Sequence, residues 1–181
     1  TLPVTTLKYY KLTYQGQVFV PLVSDFVYGL NFEAGYANGY GGKSLPFFQN
    51  YYGGGVGSVR GYETNSLGPR EAVTSAVTTN PDGTTSSTTS YTGNATGGRR
   101  KFTMNNEILF PFPGTKNDKS VRGSFFLDAG QIYDRGDPLQ KDNERVHLST
   151  GVAIAWQSPI GALKFSYAFP LASKPSDRLQ R

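Results

Sequence analysis

The sequence predicts an all-β fold of antiparallel strands, and three observations predict it. Apolar and polar residues alternate with period two in six segments, which is strand spacing and not helix spacing. Aromatic residues make up 14% and glycine 22 of 181 residues, yet mean hydropathy is only −0.41; glycine usually holds about 7%. The connections between the segments alternate between short and long. No stretch carries a convincing helical period.

The strands are read in order. Over residues 5–20, Tyr10, Leu12 and Tyr14 oppose Tyr9, Lys11 and Thr13. Over 26–37, Phe26, Tyr28, Leu30, Phe32, Ala34 and Tyr36 oppose Gly29, Asn31, Glu33 and Gly35. Over 101–112, Phe102, Met104, Ile108, Phe110 and Phe112 share a face, with Asn106 as the exception, and Thr103, Asn105 and Glu107 share the other. Over 121–133, Val121, Phe125, Leu127 and Ala129 oppose Arg122, Ser124 and Asp128, and Phe126 breaks the polar face. Over 146–157, Val146, Leu148, Thr150, Val152, Ile154 and Trp156 oppose His147, Ser149, Gly151, Ala153, Ala155 and Gln157. Over 162–171, Leu163, Phe165, Tyr167, Phe169 and Leu171 oppose Lys164, Ser166, Ala168 and Pro170. The Pro and Gly of Ser158-Pro159-Ile160-Gly161 mark a tight turn between the last two.

One connection, residues 38–100, is too long for an inert loop and is expected to be functional or disordered. It divides in two. Residues 73–98 hold 13 Ser or Thr among 26 with Asp82 as their one charge, a composition that predicts mobility. Residues 41–72 are dense in Gly, Phe and Tyr and are expected to be ordered.

Two-faced strands fit a soluble sandwich, whose apolar face points inward, or a membrane barrel, whose apolar face meets lipid. Three features favour the barrel. The apolar faces are aromatic along their length, with Trp156, Tyr133 and Tyr36 at strand ends as in interfacial girdles. Lys164, Asp128, Glu107 and Glu33 sit at mid-strand on the polar faces. Short turns alternate with long loops, the habit of outer-membrane barrels.

Composition excludes several chemistries. There is no cysteine, so no disulfide, thiolate metal site or thiol nucleophile. The single histidine, His147, excludes any site needing two, and beside Ser149 it lacks an acid on its own strand face to orient it for hydrolysis. Gly53–Gly57 lacks the Gly-Lys-Ser/Thr ending of a phosphate loop. Asp134, Asp137, Asp142 and Glu144 are interleaved with Arg135, Lys141 and Arg145, as in a solvated loop and not a cation site. Asn94-Ala95-Thr96 matches a glycosylation sequon by chance. The net charge of +5 is scattered, with no run longer than Arg99-Arg100-Lys101. No catalytic residue, metal or cofactor is expected.

The order of motifs carries a resemblance. Gly41 to Pro69, with Val59-Arg60-Gly61-Tyr62 at its centre, resembles the sixth extracellular loop of the BamA family, the barrel subunits of the outer-membrane β-barrel assembly machinery. Phe125 to Gly130 is similar to a strand of that family, and Trp156 to Ala168 to its penultimate hairpin. The resemblance implies a sixteen-stranded barrel preceded by POTRA domains, with the six strands here as the tenth to the fifteenth. On this reading the chain is a piece of a longer protein, which its opening in mid-pattern at Thr1-Leu2-Pro3 also suggests. It implies that Arg60 reaches acids on the inner wall of the next two strands, which fall at Glu107 and Asp128. Both lie on the polar parity of their strands, and a planar guanidinium can bridge two carboxylates. Tyr62 is expected to pack beside this lock and Gly61 to allow the close approach.

The function so implied is non-enzymatic: folding and inserting β-barrel proteins in the outer membrane of a Gram-negative bacterium. The implied partners are nascent barrel proteins, outer-membrane lipid, and assembly subunits that engage POTRA domains. The alternatives are a related POTRA-barrel polypeptide translocator and a soluble binding module for an acidic ligand.

Overall fold

The computed structural model describes residues 7–79, 85–91, 93–114, 120–134, 143–173 and 176–180. Eight strands form: β1 (Tyr9–Pro21), β2 (Val27–Gly39), β3 (Val73–Thr79), β4 (Thr85–Ser90), β5 (Arg100–Pro111), β6 (Val121–Tyr133), β7 (His147–Ser158) and β8 (Gly161–Pro170). Six of them make one antiparallel sheet in the order β1-β2-β5-β6-β7-β8, so each strand pairs with its neighbour in the meander and the sheet stays open. A single 3-10 turn, Phe47–Gln49, is the only helical element among the described residues. Among the described residues no helix is long and apolar enough to cross a membrane.

β3 and β4 pair with each other, apart from the main sheet, inside the Ser/Thr-rich stretch. Composition there signals only that no core can be buried. The β-branched threonines nonetheless suit extended backbone.

The parity read from the sequence separates two environments. Phe125, Tyr167, Phe165 and Leu12 are each more than half exposed on one face. On the other, Asp128, Ser149, His147 and Thr103 are buried. This is inverted relative to a sandwich, where the apolar face would be covered. The outward Asn106 does not stand alone: the Tyr28 hydroxyl donates to its Oδ1 at 2.6 Å, and its amide reaches the Leu127 carbonyl. Several inward and outward glycines sit under aromatic rings of the paired strand, as Gly16 does under Phe32 and Gly123 under Phe110.

The meander puts the connections at two ends. The connections from β1 to β2, from β5 to β6 and from β7 to β8 leave the strands at one end. The connections from β2 to β5 and from β6 to β7, and the end of β8, lie at the other. The glycine-rich half of the long connection, residues 51–70, does not stand away from the sheet. It folds onto the polar face, and its buried cluster of Val59, Tyr62 and Leu67 meets Ile132 of β6 there. The core of the described molecule therefore lies between loop and wall.

Candidate functional site

The loop is first narrowed at its neck. Tyr51 and Gly98 exchange backbone hydrogen bonds at 2.8 and 2.9 Å. The Tyr51 ring lies over Gly35 of β2, and its hydroxyl donates to the Leu12 carbonyl at 2.8 Å. The glycine-rich turn that follows uses its own amides: Gly54 N–H donates to Ser58 Oγ, Gly55 N–H to the Val59 carbonyl and Ser58 N–H to the Gly55 carbonyl. These donors serve the turn and not a phosphate.

The turn delivers Arg60 to the wall. Its Nε donates to Asp128 Oδ2 at 2.7 Å and its Nη2 to Asp128 Oδ1 at 2.8 Å, a bidentate pair. Its backbone N–H also reaches Asp128 Oδ2, at 3.2 Å. Its Nη1 reaches Glu107 Oε1 at 3.2 Å. Arg60 and Asp128 are buried, at 6% and 0% exposure. Burial works against the Arg60 charge, but the Asp128 and Glu107 carboxylates outweigh it and hold the guanidinium above its ordinary pKa.

The structure thus brings together the three residues expected of the lock, Arg60, Glu107 and Asp128. It also adds three that the sequence reading did not place there. The Arg60 guanidinium lies over the Phe126 ring, 3.4 Å from its centroid. Lys164 of β8 contacts Glu107 Oε1 at 3.0 Å and Oε2 at 3.1 Å. Ser124 Oγ donates to Glu107 Oε1 at 2.9 Å. Two cations and two carboxylates balance, and Glu107 is shared by donors from the loop, β6 and β8. Phe126 had left a signal, since it is the apolar residue that breaks a polar parity. Register explains its posture: it stands opposite Glu107 on β5 and opposite Gly151 on β7. A Cβ at Gly151 would meet the ring at 2.7 Å, so the glycine leaves it room.

Val59 and Tyr62 flank the arginine. Val59 fits against Gly130, where a side chain would collide with it. Gly61 has φ +86, in the left-handed region, and a Cβ there would meet the Ala168 Cβ of β8 at 3.2 Å. Tyr62 is fully buried, edge-on to the His147 ring at 5.2 Å, and its hydroxyl donates to the Leu148 carbonyl at 3.1 Å.

The chain after β8 closes over this motif, which no sequence signal announced. Glu63 N–H donates to the Arg178 carbonyl at 2.8 Å and Gln180 N–H to the Gly61 carbonyl at 3.1 Å. Asp177 Oδ1 lies 3.2 Å from His147 Nε2. The acid absent from the strand face of His147 thus arrives from the tail. Ser149 Oγ and His147 Nδ1 are both buried without a hydrogen-bond partner among the described residues, so no Ser–His proton relay forms.

Burial pushes the Tyr62 phenol up to about 12, and the Asp177 charge adds to the shift. The folded state holds this proton more tightly than the unfolded chain. Its contribution is complete below the ordinary value of 10.0 and is lost as pH rises through about 12. Stability should therefore fall across that alkaline window, and Tyr62→Phe should flatten the fall. Urea midpoints of both proteins at about pH 9 and about pH 11 check it. Equal slopes would overturn the assignment to Tyr62.

Of the loop acids, Asp134 pairs with Arg99 at 2.5 Å and its N–H donates to Glu144 Oε1 at 2.7 Å. Asp137 and Asp142 lie outside the described residues. Among the described residues no three His, Asp or Glu side chains are grouped to hold a metal.

The comparisons with known proteins agree in direction. The chain is 39% identical, over 99% of its length, to the outer membrane protein assembly factor BamA of Neisseria meningitidis serogroup B, covering 24% of that protein. It is 32% identical, over 74% of its length, to the protein of the same name from Nitratidesulfovibrio vulgaris, covering 14% of it. Its structure is similar to a crystal structure of BamA from Haemophilus ducreyi lacking POTRA domains 1-3, with a TM-score of 0.79 and 32% identity over 99% of this chain and 35% of that one. The chain therefore spans about a quarter of the Neisseria relative. The model of the Omp85 superfamily domain matches residues 1–181, and with the open meander and the wall-bound loop this establishes that the chain belongs to the Omp85 superfamily.

Proposed function

We propose that this chain forms part of the wall, and the pinned inner loop, of a barrel that folds and inserts β-barrel proteins in the outer membrane of a Gram-negative bacterium. The observation that carries the reading is the buried Arg60–Asp128–Glu107 cluster, which ties the loop to β5 and β6 on the face opposite the exposed aromatics. The work is non-covalent. The exposed apolar face meets lipid, the loop holds its strands as one unit, and nascent barrel strands and partner subunits engage the parts of the protein around it. Arg60, Glu107 and Asp128 act as the lock, and Val59, Gly61 and Tyr62 seat it.

The test is complementation of a strain depleted of its own assembly factor by the full-length protein. The wild type restores outer-membrane barrel proteins to normal levels. A protein carrying Arg60→Ala restores them poorly while still reaching the membrane. Full restoration by Arg60→Ala would sink the lock's role, and failure of the wild type in its native host would sink the assembly reading.

A further inference from the structure

We propose that the outward face carries a binding site for the phosphate of a lipid headgroup, centred on Arg100; it rests on the reading of that face as lipid-facing. The run Arg99-Arg100-Lys101 is the longest cluster of charge in the sequence. Strand alternation splits it. Arg99 is met by Asp134 at 2.5 Å, and Lys101 turns inward to Glu33 at 2.8 Å. Arg100 points the other way, onto the face of Phe102 and Ile108. There it has no carboxylate partner among the described residues, and Asp134 and Glu33 are engaged by its neighbours Arg99 and Lys101.

What it has instead is a frame. Register aligns Tyr36 of β2, Arg100 of β5 and Tyr133 of β6 in one row across the sheet. The guanidinium lies 5.3 Å from the Tyr36 ring centroid and 5.5 Å from that of Tyr133. Tyr10 packs against Tyr36 at 5.8 Å and extends the aromatic rim. Two flanking rings hold the planar fork side-on, and the Tyr36 hydroxyl takes up one of its five donors, leaving the rest for a ligand. An unpaired cation beside an apolar face is costly in hydrocarbon and favoured at the interface, where it can reach an anion. The row stands at the long-loop end of the strands, where an aromatic girdle meets headgroups. A phosphate offers two charged acceptor oxygens that the planar guanidinium fork can take in parallel. The bordering apolar side chains, exposed Leu12 and Phe102, suit the acyl chains of a lipid and not a free anion.

The test uses the full-length protein in neutral detergent, with retained lipid counted by native mass spectrometry. The probes are dioleoyl phosphatidic acid, dioleoyl phosphatidylcholine and inorganic phosphate as competitor. The wild type should retain phosphatidic acid about tenfold better than Arg100→Gln, the usual weight of a charged hydrogen bond. Lys43→Gln, which removes an exposed loop charge at the same end, should behave as wild type. Arg100→Lys keeps the charge without the fork, should also lose retention, and carries the test should Arg100→Gln not fold. Equal retention by the Arg100 variants, equal loss in Lys43→Gln, or displacement by inorganic phosphate at matched concentration would overturn the proposal. A wild-type protein that needs no detergent would overturn the membrane reading itself, which is a separate outcome.

Discussion

Replacing Arg60 by alanine should release the long loop from the wall and cost the folded barrel about 3–5 kcal/mol, the usual effect of removing one partner of a buried ion pair. The cost is large because of what stays behind. Asp128 is fully buried and would be left with only the backbone N–H of residue 60 as a donor from the loop. Glu107 would suffer less, since Ser124 and Lys164 still reach it. The same geometry ranks the acids. Asp128→Asn should destabilise more than Glu107→Gln, because Asp128 takes the two short bonds of the bidentate pair and Glu107 the longer one. Arg60→Lys should rescue little: a lysine offers a point charge where a fork and a ring-stacking plane are used. Urea unfolding in bilayers, with cold gel mobility as a second readout, measures all four variants. An Arg60→Ala protein as stable as wild type, or a Glu107→Gln protein weaker than Asp128→Asn, would refute this account of the lock.

Phe126→Ala should rival that loss, at about 3–5 kcal/mol, as for other buried Phe truncations. Phe126 is 3% exposed, so the substitution opens a void against Gly151, which has no side chain to fill it. It also removes the surface on which the guanidinium rests at 3.4 Å. Phe126→Leu separates the two effects. It restores most of the volume and none of the ring, so its residual loss reports the cation–π contact, about 2 kcal/mol for a desolvated pair. Combining Phe126→Leu with Arg60→Ala should give less than the sum of the single losses, because contacting residues couple. Strict additivity, read from the same unfolding midpoints, would show that ring and guanidinium do not interact.

Strand parity was legible because a two-faced strand must repeat with period two, and Phe125 against Asp128 or Tyr167 against Lys164 states it plainly. Arg60, Glu107 and Asp128 were legible only jointly: the parity of the acids gave their face, and the family pattern around Val59–Tyr62 gave the partner. Phe126 could have been added from the residues alone. An aromatic ring on a polar face needs a reason, and a nearby cation is a common one. Lys164 was visible as an inward charge, but its distance to Glu107 depends on how far β8 lies across the sheet, which no local pattern encodes. The tail contacts were not legible at all. Asp177, Arg178 and Gln180 bond through backbone or a lone carboxylate to residues far away in sequence, and such pairing leaves no periodicity.

The placement of the two acids orders the steps by which the chain acquires its structure. Glu107 and Asp128 belong to one hairpin, β5–β6, whose strands find each other across a short connection. Arg60 is 47 and 68 residues from them. Closing contacts of that span before the hairpin exists would cost chain entropy with a single acceptor as the return. By this reckoning the hairpin should form first and the loop dock onto it later, with the tail at Leu179, bridged to Tyr62, last. A nascent chain emerging from its N-terminus carries Arg60 long before it carries Asp128. For that interval the arginine and its glycine turn travel unpaired, and the long loop stays free to move aside while the wall is being built.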